Sequence, residues 1–266
     1  MMGKQEIMAK ILPGGRGVWV PIDHGVTDFP CIGLENVEAT ISSLIAGGAD
    51  VIVAHKGVVD KFSYMCEGKK TSMVAHLSAS TRHGGKNYSN KVLVGDVDEA
   101  IMRGAVGVSC QLNIGSKKES AMLERMGHIT TEAYLNEVPV LGMVYVRGEN
   151  VNLIKNDPTM GYAHAARIAF ELGCDAAKTV WTGNKESFAK VCTAAPIPLL
   201  VAGGPSTGDS RAILTMVKQS IEAGGSGVCM GRQIFAHPNV EGITKALTMI
   251  VHENSSVEDA ISKCSL

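Results

Sequence analysis

The sequence contains no long apolar segment, few aromatic residues and no excess of charge of either sign. Glycine and polar residues interrupt every apolar run, including the start MMGKQEIMAKIL, so we expect neither a signal peptide nor a membrane span. Lys and Arg number 25 and Asp and Glu 26, which gives a formal net charge of −1. We therefore expect no polyanion-binding surface, and neither nucleic acid nor a membrane as a partner.

The cysteines lack the spacing of a metal site or of a disulfide framework. There are seven, an odd number; they are scattered, and no two form a CxxC motif. We therefore expect free thiols in a reducing cytoplasm, with no metal and no cofactor. The positions are Cys31, Cys66, Cys110, Cys174, Cys192, Cys229 and Cys264.

Short β-rich apolar runs alternate with longer helical windows along the whole chain. Eight such strands in 266 residues match a single (β/α)8 TIM barrel, so we predict one catalytic barrel domain over residues 1–266. Strands that are apolar on both faces are typical of a parallel sheet. A doubly wound open sheet is the alternative, although no G-x-G-x-x-G follows the first strand. The predicted strands are 17–23, 50–56, 72–78, 107–115, 138–146, 175–181, 197–204 and 227–231.

Apolar residues recur at helical spacing in the windows between these strands. Three windows end in AGGAD, ELGCD and EAGGSG, where glycine supplies a left-handed cap before the next strand. Residues 57–71 and 79–95 are irregular, and we expect them to form loops over one face of the barrel. The helical windows are 36–48, 97–105, 118–137, 160–173 and 211–225.

Polar residues concentrate at the carboxyl ends of the predicted strands, where a (β/α)8 barrel carries its chemistry. The first strand ends in Asp23 and His24, the second in His55 and Lys56, and the third reaches His76. An ammonium group inside the apolar stretch DAAKTVW must be paired, reach water or lose its proton. Lys178 in that stretch is therefore either a solvent-exposed lysine of an edge strand or a nucleophile, and the other strand ends favour the nucleophile.

The last two strand ends predict a phosphate cradle. Gly203 and Gly204, followed by Pro205, and then Gly231 and Arg232 form glycine-rich turns with exposed backbone N–H groups. Arg232 could add a charge-assisted contact to the phosphate. The alternative is that these glycines only form tight turns.

The remaining candidates have both a functional and a structural interpretation. Tyr145 and Arg147 project to the same side of one strand. In the functional interpretation, Tyr145 carries a proton and Arg147 binds an anionic group of the substrate. In the structural interpretation, Tyr145 packs at the mouth of the barrel and Arg147 lies in solvent. Asp23 could hold the charge of the lysine or accept a bond from a substrate hydroxyl. His24 could bind phosphate or cap a turn. Lys56 is the rival nucleophile, but at a strand end beside Gly57 it easily reaches water, which favours phosphate binding or an effect on the pKa of Lys178.

These motifs, in this order, resemble those of the archaeal-type class I aldolases over nearly the whole chain. The motifs are PIDHG (21–25), AHKG (54–57), YVRG (145–148), AKTVWTG (177–183), AGGP (202–205) and GRQIF (231–235). The resemblance implies a (β/α)8 barrel, a Schiff-base lysine, a sugar phosphate substrate and a homo-oligomer, which in several members is a decamer. The family includes 2-amino-3,7-dideoxy-D-threo-hept-6-ulosonate (ADH) synthases of aromatic amino acid biosynthesis, fructose-bisphosphate aldolases and a more distant thiolase branch.

By this resemblance the Schiff-base lysine is Lys178, the proton-handling tyrosine is Tyr145 and the acid of the first strand is Asp23. Phosphate binding falls to Gly204, Gly231 and Arg232, with Arg147 at the far phosphate or acid. The chain departs from the family pattern at three positions, Val146, Met143 and Trp181.

The motif AHKG and Met143 favour an ADH synthase, with fructose-1,6-bisphosphate aldolase as the alternative. A thiolase acting on a phosphorylated pentanedione and a non-catalytic phosphate-binding barrel are less favoured. In the aldolase reactions, Lys178 must attack a ketone as a neutral amine. We therefore expect burial, together with repulsion from Lys56 and Arg147, to lower the pKa of Lys178 below the usual value of about 10.4.

Overall fold

A computed structural model describes residues 3–87, 89–153, 156–204 and 208–266. Eight parallel strands close into a barrel in the order β1-β10-β9-β8-β7-β6-β3-β2. This closure confirms the predicted (β/α)8 barrel and excludes the open sheet. The barrel strands are β1 (Gly17–Pro21), β2 (Val51–Ala54), β3 (Ser72–His76), β6 (Gly107–Ile114), β7 (Val140–Val146), β8 (Ala176–Val180), β9 (Leu199–Ala202) and β10 (Gly227–Cys229).

Helices follow the barrel strands and cover their outer surface. Asparagine, aspartate or serine caps most of the longer helices; for example, Asn36 accepts from Ala39 N and Asp209 from Ala212 N. The helices are α1 (Lys4–Ile11), α2 (His24–Thr27), α3 (Val37–Ala46), α4 (Lys56–Phe62), α5 (Val97–Met102), α6 (Glu119–Leu135), α7 (Pro158–Glu171), α8 (Lys185–Cys192), α9 (Ser210–Glu222), α10 (Arg232–Phe235), α11 (Val240–His252) and α12 (Val257–Cys264). No helix within the described ranges is long and apolar enough to cross a bilayer.

Glycines with positive φ lie where the three repeated helix ends meet the next strand. Gly48, Gly173 and Gly224 have φ values of 83°, 88° and 103°, a region that side-chain-bearing residues rarely adopt. These positions confirm the left-handed caps predicted from AGGAD, ELGCD and EAGGSG.

The prediction of loops over 57–71 and 79–95 is wrong in part. Residues 56–62 form α4, because Val58, Val59 and Phe62 have helical spacing and Val59 is buried against the barrel. Between β3 and α5, two short strands pair antiparallel as a hairpin, β4 (Ser78–Ala79) with β5 (Val92–Leu93). Tyr88, in the same predicted loop, lies outside the described residues.

A buried carboxylate stabilises the amino end of the barrel, where the strands begin. Asp50 is fully buried and lies just before β2. Its Oδ2 accepts from the backbone N–H of Val18 at 2.7 Å and lies 2.7 Å from His252 Nε2. Lys70 Nζ lies 2.8 Å from its Oδ1. These contacts join β1, β2, the turn before β3 and the end of α11.

Candidate active site

A cavity of about 500 Å³ opens at the carboxyl end of the barrel. It contains every site residue predicted from the sequence except Lys56. Residues that the sequence analysis did not select, such as Lys91, Gln111 and Cys229, also line it. The full lining is Asp23, His24, Thr27, Asp28, Cys31, Lys91, Gln111, Met143, Tyr145, Arg147, Lys178, Val180, Ala202, Gly203, Gly204, Cys229, Gly231 and Arg232.

Lys178 lies in the middle of β8 and its side chain lines the cavity. In the parallel register it lies beside Met143 on β7 and Leu200 on β9. Because side chains alternate along a strand, Lys178 and Val180 face the cavity while Thr179 is buried on the outer face. Lys178 is therefore not on an edge strand, since β8 is paired on both sides.

The pKa of Lys178 in the free protein is raised, so the expectation of a lowered pKa is wrong. Burial disfavours the ammonium form, but the Cys229 thiolate, the Tyr145 phenolate and the Asp23 carboxylate favour it, and a hydrogen bond with the Tyr145 side chain adds to them. Burial raises the pKa of Cys229 to about 11, so its thiolate is absent at neutral pH, whereas Asp23 is then a carboxylate. An empty site therefore holds Lys178 as an ammonium ion.

Asp23 follows β1 and lies at the start of α2, with its carboxylate in the cavity lining. Burial would raise its pKa, but His76, His24, Lys178 and His55 together lower the pKa of Asp23 to about 2. The shortest of these approaches is between His24 Nδ1 and Asp23 Oδ1, at 3.5 Å. Asp23 is thus a carboxylate at any pH near neutral.

Two histidines lie behind Asp23, outside the cavity lining. The β3–β6 register pairs His76 with Ser109, and His76 Nδ1 lies 2.7 Å from Ser109 Oγ. His76 is buried, and burial lowers its pKa to about 3 even though Asp23 favours the charged form. His55 Nδ1 lies 3.0 Å from His76 O, and burial lowers its pKa as well. Both imidazoles are therefore neutral at pH 7, where Asp23 is a carboxylate.

Tyr145 and Arg147 project from the end of β7 into the same cavity, as their spacing predicts. The guanidinium carbon of Arg147 lies 5.1 Å from the centroid of the Tyr145 ring, within the range of a cation–π contact. Arg147 is thereby held over the tyrosine at the mouth, and the Tyr145 side chain reaches Lys178 below it.

The turns after β9 and β10 form one side of the cavity. A Cβ added at Gly231 would meet His24 Cε1 at 2.5 Å and the carbonyl oxygen of Pro21 at 2.6 Å, so no larger residue fits there. Gly204 has a φ of 66°, which favours glycine for a conformational reason. Arg232 begins α10 beside them. Pro205, predicted in the same turn, lies outside the described residues.

Lys56 is the predicted site residue that the structure does not bring to the cavity. It begins α4, and its Nζ lies 3.0 Å from Glu99 Oε2 on α5. Lys91 is the cation that sequence reasoning missed. It lies just before β5, is mostly buried, and donates from Nζ to Ser80 Oγ at 2.8 Å.

The three departures from the family pattern have distinct positions. Met143 lines the cavity beside Lys178, where it can affect the substrate directly. Trp181 lies outside the lining and packs against Phe188 of α8, with ring centroids 5.0 Å apart. Val146 lies near Gly161 of α7 on the outside of β7. Only Met143 therefore alters the cavity. No group of three or more His, Cys, Asp and Glu side chains in the described ranges could hold a metal ion.

Comparison with known proteins gives matches over nearly the whole chain. Residues 18–237 match a family model described as the DeoC/LacD family aldolase. A 2-amino-3,7-dideoxy-D-threo-hept-6-ulosonate synthase of Halobacterium salinarum is 33% identical over 264 residues, which cover 99% of this chain and 97% of the relative. A 2-amino-4,5-dihydroxy-6-oxo-7-(phosphonooxy)heptanoate synthase of Streptomyces griseus is 33% identical over 240 residues, covering 89% and 85%.

A solved structure of an archaeal fructose-1,6-bisphosphate aldolase superposes with a TM-score of 0.84. It is 26% identical, and the match covers 93% of this chain and 99% of that chain. In that structure the catalytic lysine is covalently bound to the carbinolamine intermediate of the substrate.

Proposed function

The chain belongs to the DeoC/LacD aldolase family, and from this premise we propose that it is an ADH synthase that works through a Schiff base on Lys178. In this reaction a phosphorylated deoxy-ketohexose donates a three-carbon unit to L-aspartate semialdehyde. The observation that carries the proposal is the convergence of Lys178, Tyr145 and Asp23 in one cavity at the carboxyl end of the barrel. The relatives of 33% identity support the choice of reaction.

The proposed chemistry begins with loss of a proton from Lys178, since the empty site holds an ammonium ion. Tyr145, which is hydrogen-bonded to Lys178, is the group through which that proton leaves. The neutral amine then attacks the ketone of the donor to give a carbinolamine. Tyr145 donates its phenolic proton to the carbinolamine hydroxyl, which leaves as water, so that an iminium ion and a Tyr145 phenolate remain. Asp23, a carboxylate with a pKa of about 2, stabilises this cation.

Bond cleavage then transfers the proton of the donor hydroxyl to Tyr145, while the electron pair of the carbon–carbon bond enters the iminium ion. The first aldehyde leaves, and the enamine attacks the acceptor aldehyde. Tyr145 returns its proton to the new alkoxide. Water finally adds to the iminium ion and gives a proton to the Tyr145 phenolate, and release of the product ketone restores the Lys178 amine, so that atoms and charge balance over the cycle.

The glycine turns and Arg232 bind the phosphate group in this proposal. Gly203, Gly204 and Gly231 line the cavity without a side chain, so a phosphate can approach their backbone closely. The product names of the two relatives have in common a seven-carbon chain with a carboxylate at C1, an amine at C2 and a ketone at C6. They differ at C7, which carries a phosphate in the Streptomyces case.

Fructose-1,6-bisphosphate aldolase is the second candidate, favoured by the structural likeness to the archaeal enzyme at 26% identity. Purified protein should therefore be assayed for both reactions. We expect transfer to L-aspartate semialdehyde to exceed cleavage of fructose-1,6-bisphosphate. Borohydride reduction in the presence of the donor should attach it to Lys178, as peptide mass spectrometry would detect. Cleavage of fructose-1,6-bisphosphate without transfer would favour the second candidate, and ligand binding without either activity would favour a non-catalytic barrel.

The proposal extends to a homo-oligomer in the cytoplasm. The resemblance to decameric members of the family supports an oligomer, and free cysteines at all seven positions are compatible with a reducing compartment. Light scattering on the purified chain would measure its mass and test the decamer.

A further inference from the structure

Lys91 is a buried cation in the cavity that the proposed chemistry leaves without a role. Its side chain donates to Ser80 Oγ at 2.8 Å, and an ammonium group has two further protons to donate. No carboxylate of the described residues forms an ion pair with it. Burial lowers its pKa, and Arg147 lowers it further, while Asp23 favours the charged form. A buried, incompletely paired cation that lines a cavity is suited to an anionic ligand.

The hairpin β4–β5 holds Lys91 in this position. The antiparallel register pairs Ser78 with Leu93 and Ala79 with Val92, so the next pair outward is Ser80 with Lys91. Their side chains therefore project from the same face, which explains the bond between them. Arg125 of α6 donates to the backbone carbonyl of Lys91, so the backbone is anchored independently of the side chain.

Lys91 enters the cavity from the side opposite the proposed phosphate cradle. The cradle lies at the ends of β9 and β10. Lys91 lies in the segment that follows β3 and packs against α6, the helix that follows β6. In the closed barrel β9 and β10 are separated from β3 and β6 by two strands in either direction. Lys178 on β8 lies between the two sides. A seven-carbon product of the kind named for the two relatives, with its C6 ketone at Lys178 and C7 on the cradle side, therefore directs its C1 carboxylate toward Lys91.

The ammonium group of Lys91 also acts on the part of the cavity that contains Asp23. Its ammonium group contributes to the lowered pKa values of three neighbouring histidines, which are His24, His55 and His76. An anion bound at Lys91 would lie near these neutral imidazoles and near Arg147, which lies at the end of β7. The anion would thus meet two cations. Of the two carboxylates that line the cavity, Asp28 is paired with Arg82 at 2.7 Å and Asp23 lies near the histidines.

We propose that Lys91 binds the carboxylate of the acceptor aldehyde and selects an amino-acid aldehyde as the second substrate. This assignment rests on the proposed function, because it uses a product whose C6 ketone forms the imine and whose C1 carboxylate lies at the far end of the chain. Ser80 orients the ammonium group, and Arg147 lies on the adjoining part of the wall. Lys91 is thus a residue for acceptor specificity, while the bond-making groups are Lys178 and Tyr145.

The test compares Lys91→Met with Lys185→Met, a control at an exposed lysine that pairs with Glu222 on the outer helices. We expect Lys91→Met to raise KM for L-aspartate semialdehyde about 10- to 100-fold, as loss of a charged hydrogen bond implies. Borohydride trapping of the donor alone should stay at the wild-type level, and so should transfer to propanal, which lacks the carboxylate. Lys91→Arg should recover part of the loss.

An unchanged KM for L-aspartate semialdehyde in Lys91→Met would overturn the assignment, as would an equal loss with propanal or a loss of donor trapping. If Lys91→Met fails to fold, Lys91→Gln keeps the bond to Ser80 and carries the same expectations. A wild-type enzyme inactive on L-aspartate semialdehyde would overturn the proposed function together with this assignment. Wild-type activity with an unaffected variant would overturn the assignment alone.

Discussion

The two ends of the barrel each contain an aspartate near cations and histidines, but Asp50 is fully buried while Asp23 is partly exposed to a cavity, and the two have different roles. At the amino end, Asp50 is fully buried, and its oxygens are engaged by Val18 N–H, His252 and Lys70 at 2.7 to 2.8 Å. At the carboxyl end, Asp23 borders a cavity, and its nearest histidine nitrogens lie at 3.5 and 3.7 Å. Short contacts stabilise the fold at one end, and longer contacts beside a cavity leave room for chemistry at the other.

Removal of the nucleophile should separate activity from stability most strongly. Lys178→Met should lower aldol turnover at least about a thousand-fold, because no imine can form. It should not lower the melting temperature, since methionine replaces a buried ammonium group by an apolar side chain. Steady-state rates measure the loss of turnover, thermal unfolding measures the melting temperature, and borohydride trapping measures imine formation directly. Retained activity would contradict the assignment of Lys178.

The opposite result is expected at the amino end. Asp50→Asn should destabilise the fold by about 3–5 kcal/mol, because it removes one partner of a buried ionic cluster. The kcat of the protein that remains folded should be unchanged. Urea unfolding measures the first effect, and rates at low temperature the second. Lys70→Met is the matched control, since that lysine is half exposed and its loss should have a much smaller effect. If Asp50→Asn kept its stability and lost activity, the assignment of a structural role to Asp50 would be wrong.

The carboxyl end should also control how stability depends on pH. The pKa of His76 falls from 6.5 to about 3 in the fold, so stability is full above pH 6.5 and declines as the pH falls toward 3. Asp23, lowered from 3.8 to about 2, contributes a decline of the same sign below pH 3.8. His76→Gln should therefore flatten the loss of melting temperature between pH 6.5 and 4. Unfolding scans over that interval, referred to pH 8 for each protein, test this; an unchanged slope would contradict it.

The smallest effect is expected at Lys56. Its ion pair with Glu99 lies outside the cavity and is partly exposed, so Lys56→Met should change kcat/KM by less than about twofold. The pH at which the imine forms should also stay the same. A large rise in KM for either substrate would indicate that Lys56 takes part in substrate binding. The contrast with Lys91→Met, which removes a lysine that lines the cavity, makes the measurement informative.

The sequence predicted the barrel and most of the cavity because both depend on the ends of regular strands. Each of the eight predicted strands overlaps a barrel strand, and residues at their carboxyl ends, such as Asp23, Tyr145 and Lys178, converge as expected. Lys56 was expected at the cavity but lies outside its lining, and Lys91 was not selected although it lines the cavity. The position of Lys56 depends on where α4 begins, and that of Lys91 depends on the register of a hairpin whose strands are two residues long. Neither is encoded in hydrophobic periodicity.

Electrostatics were harder to predict than position. The expected fall in the pKa of Lys178 assumed repulsion from Lys56, which points to Glu99 instead. It also gave too little weight to Asp23, which lies close enough to favour the ammonium form. Strand order brings these groups to one cavity, but the balance of burial and charge depends on distances that no sequence pattern contains.

The contact of Asp50 with His252 joins residues 202 positions apart, and β1 pairs with β10, whose register matches Gly17 with Gly227. During synthesis, which adds about 5 to 20 residues per second, β1 is made long before its second partner. One edge of β1 thus stays unpaired until nearly the whole chain has emerged, and an unpaired strand edge is a template for association with other chains. Closure of the ring is a late, long-range event, so we expect nascent fragments of this chain to expose strand edges until β10 has been made.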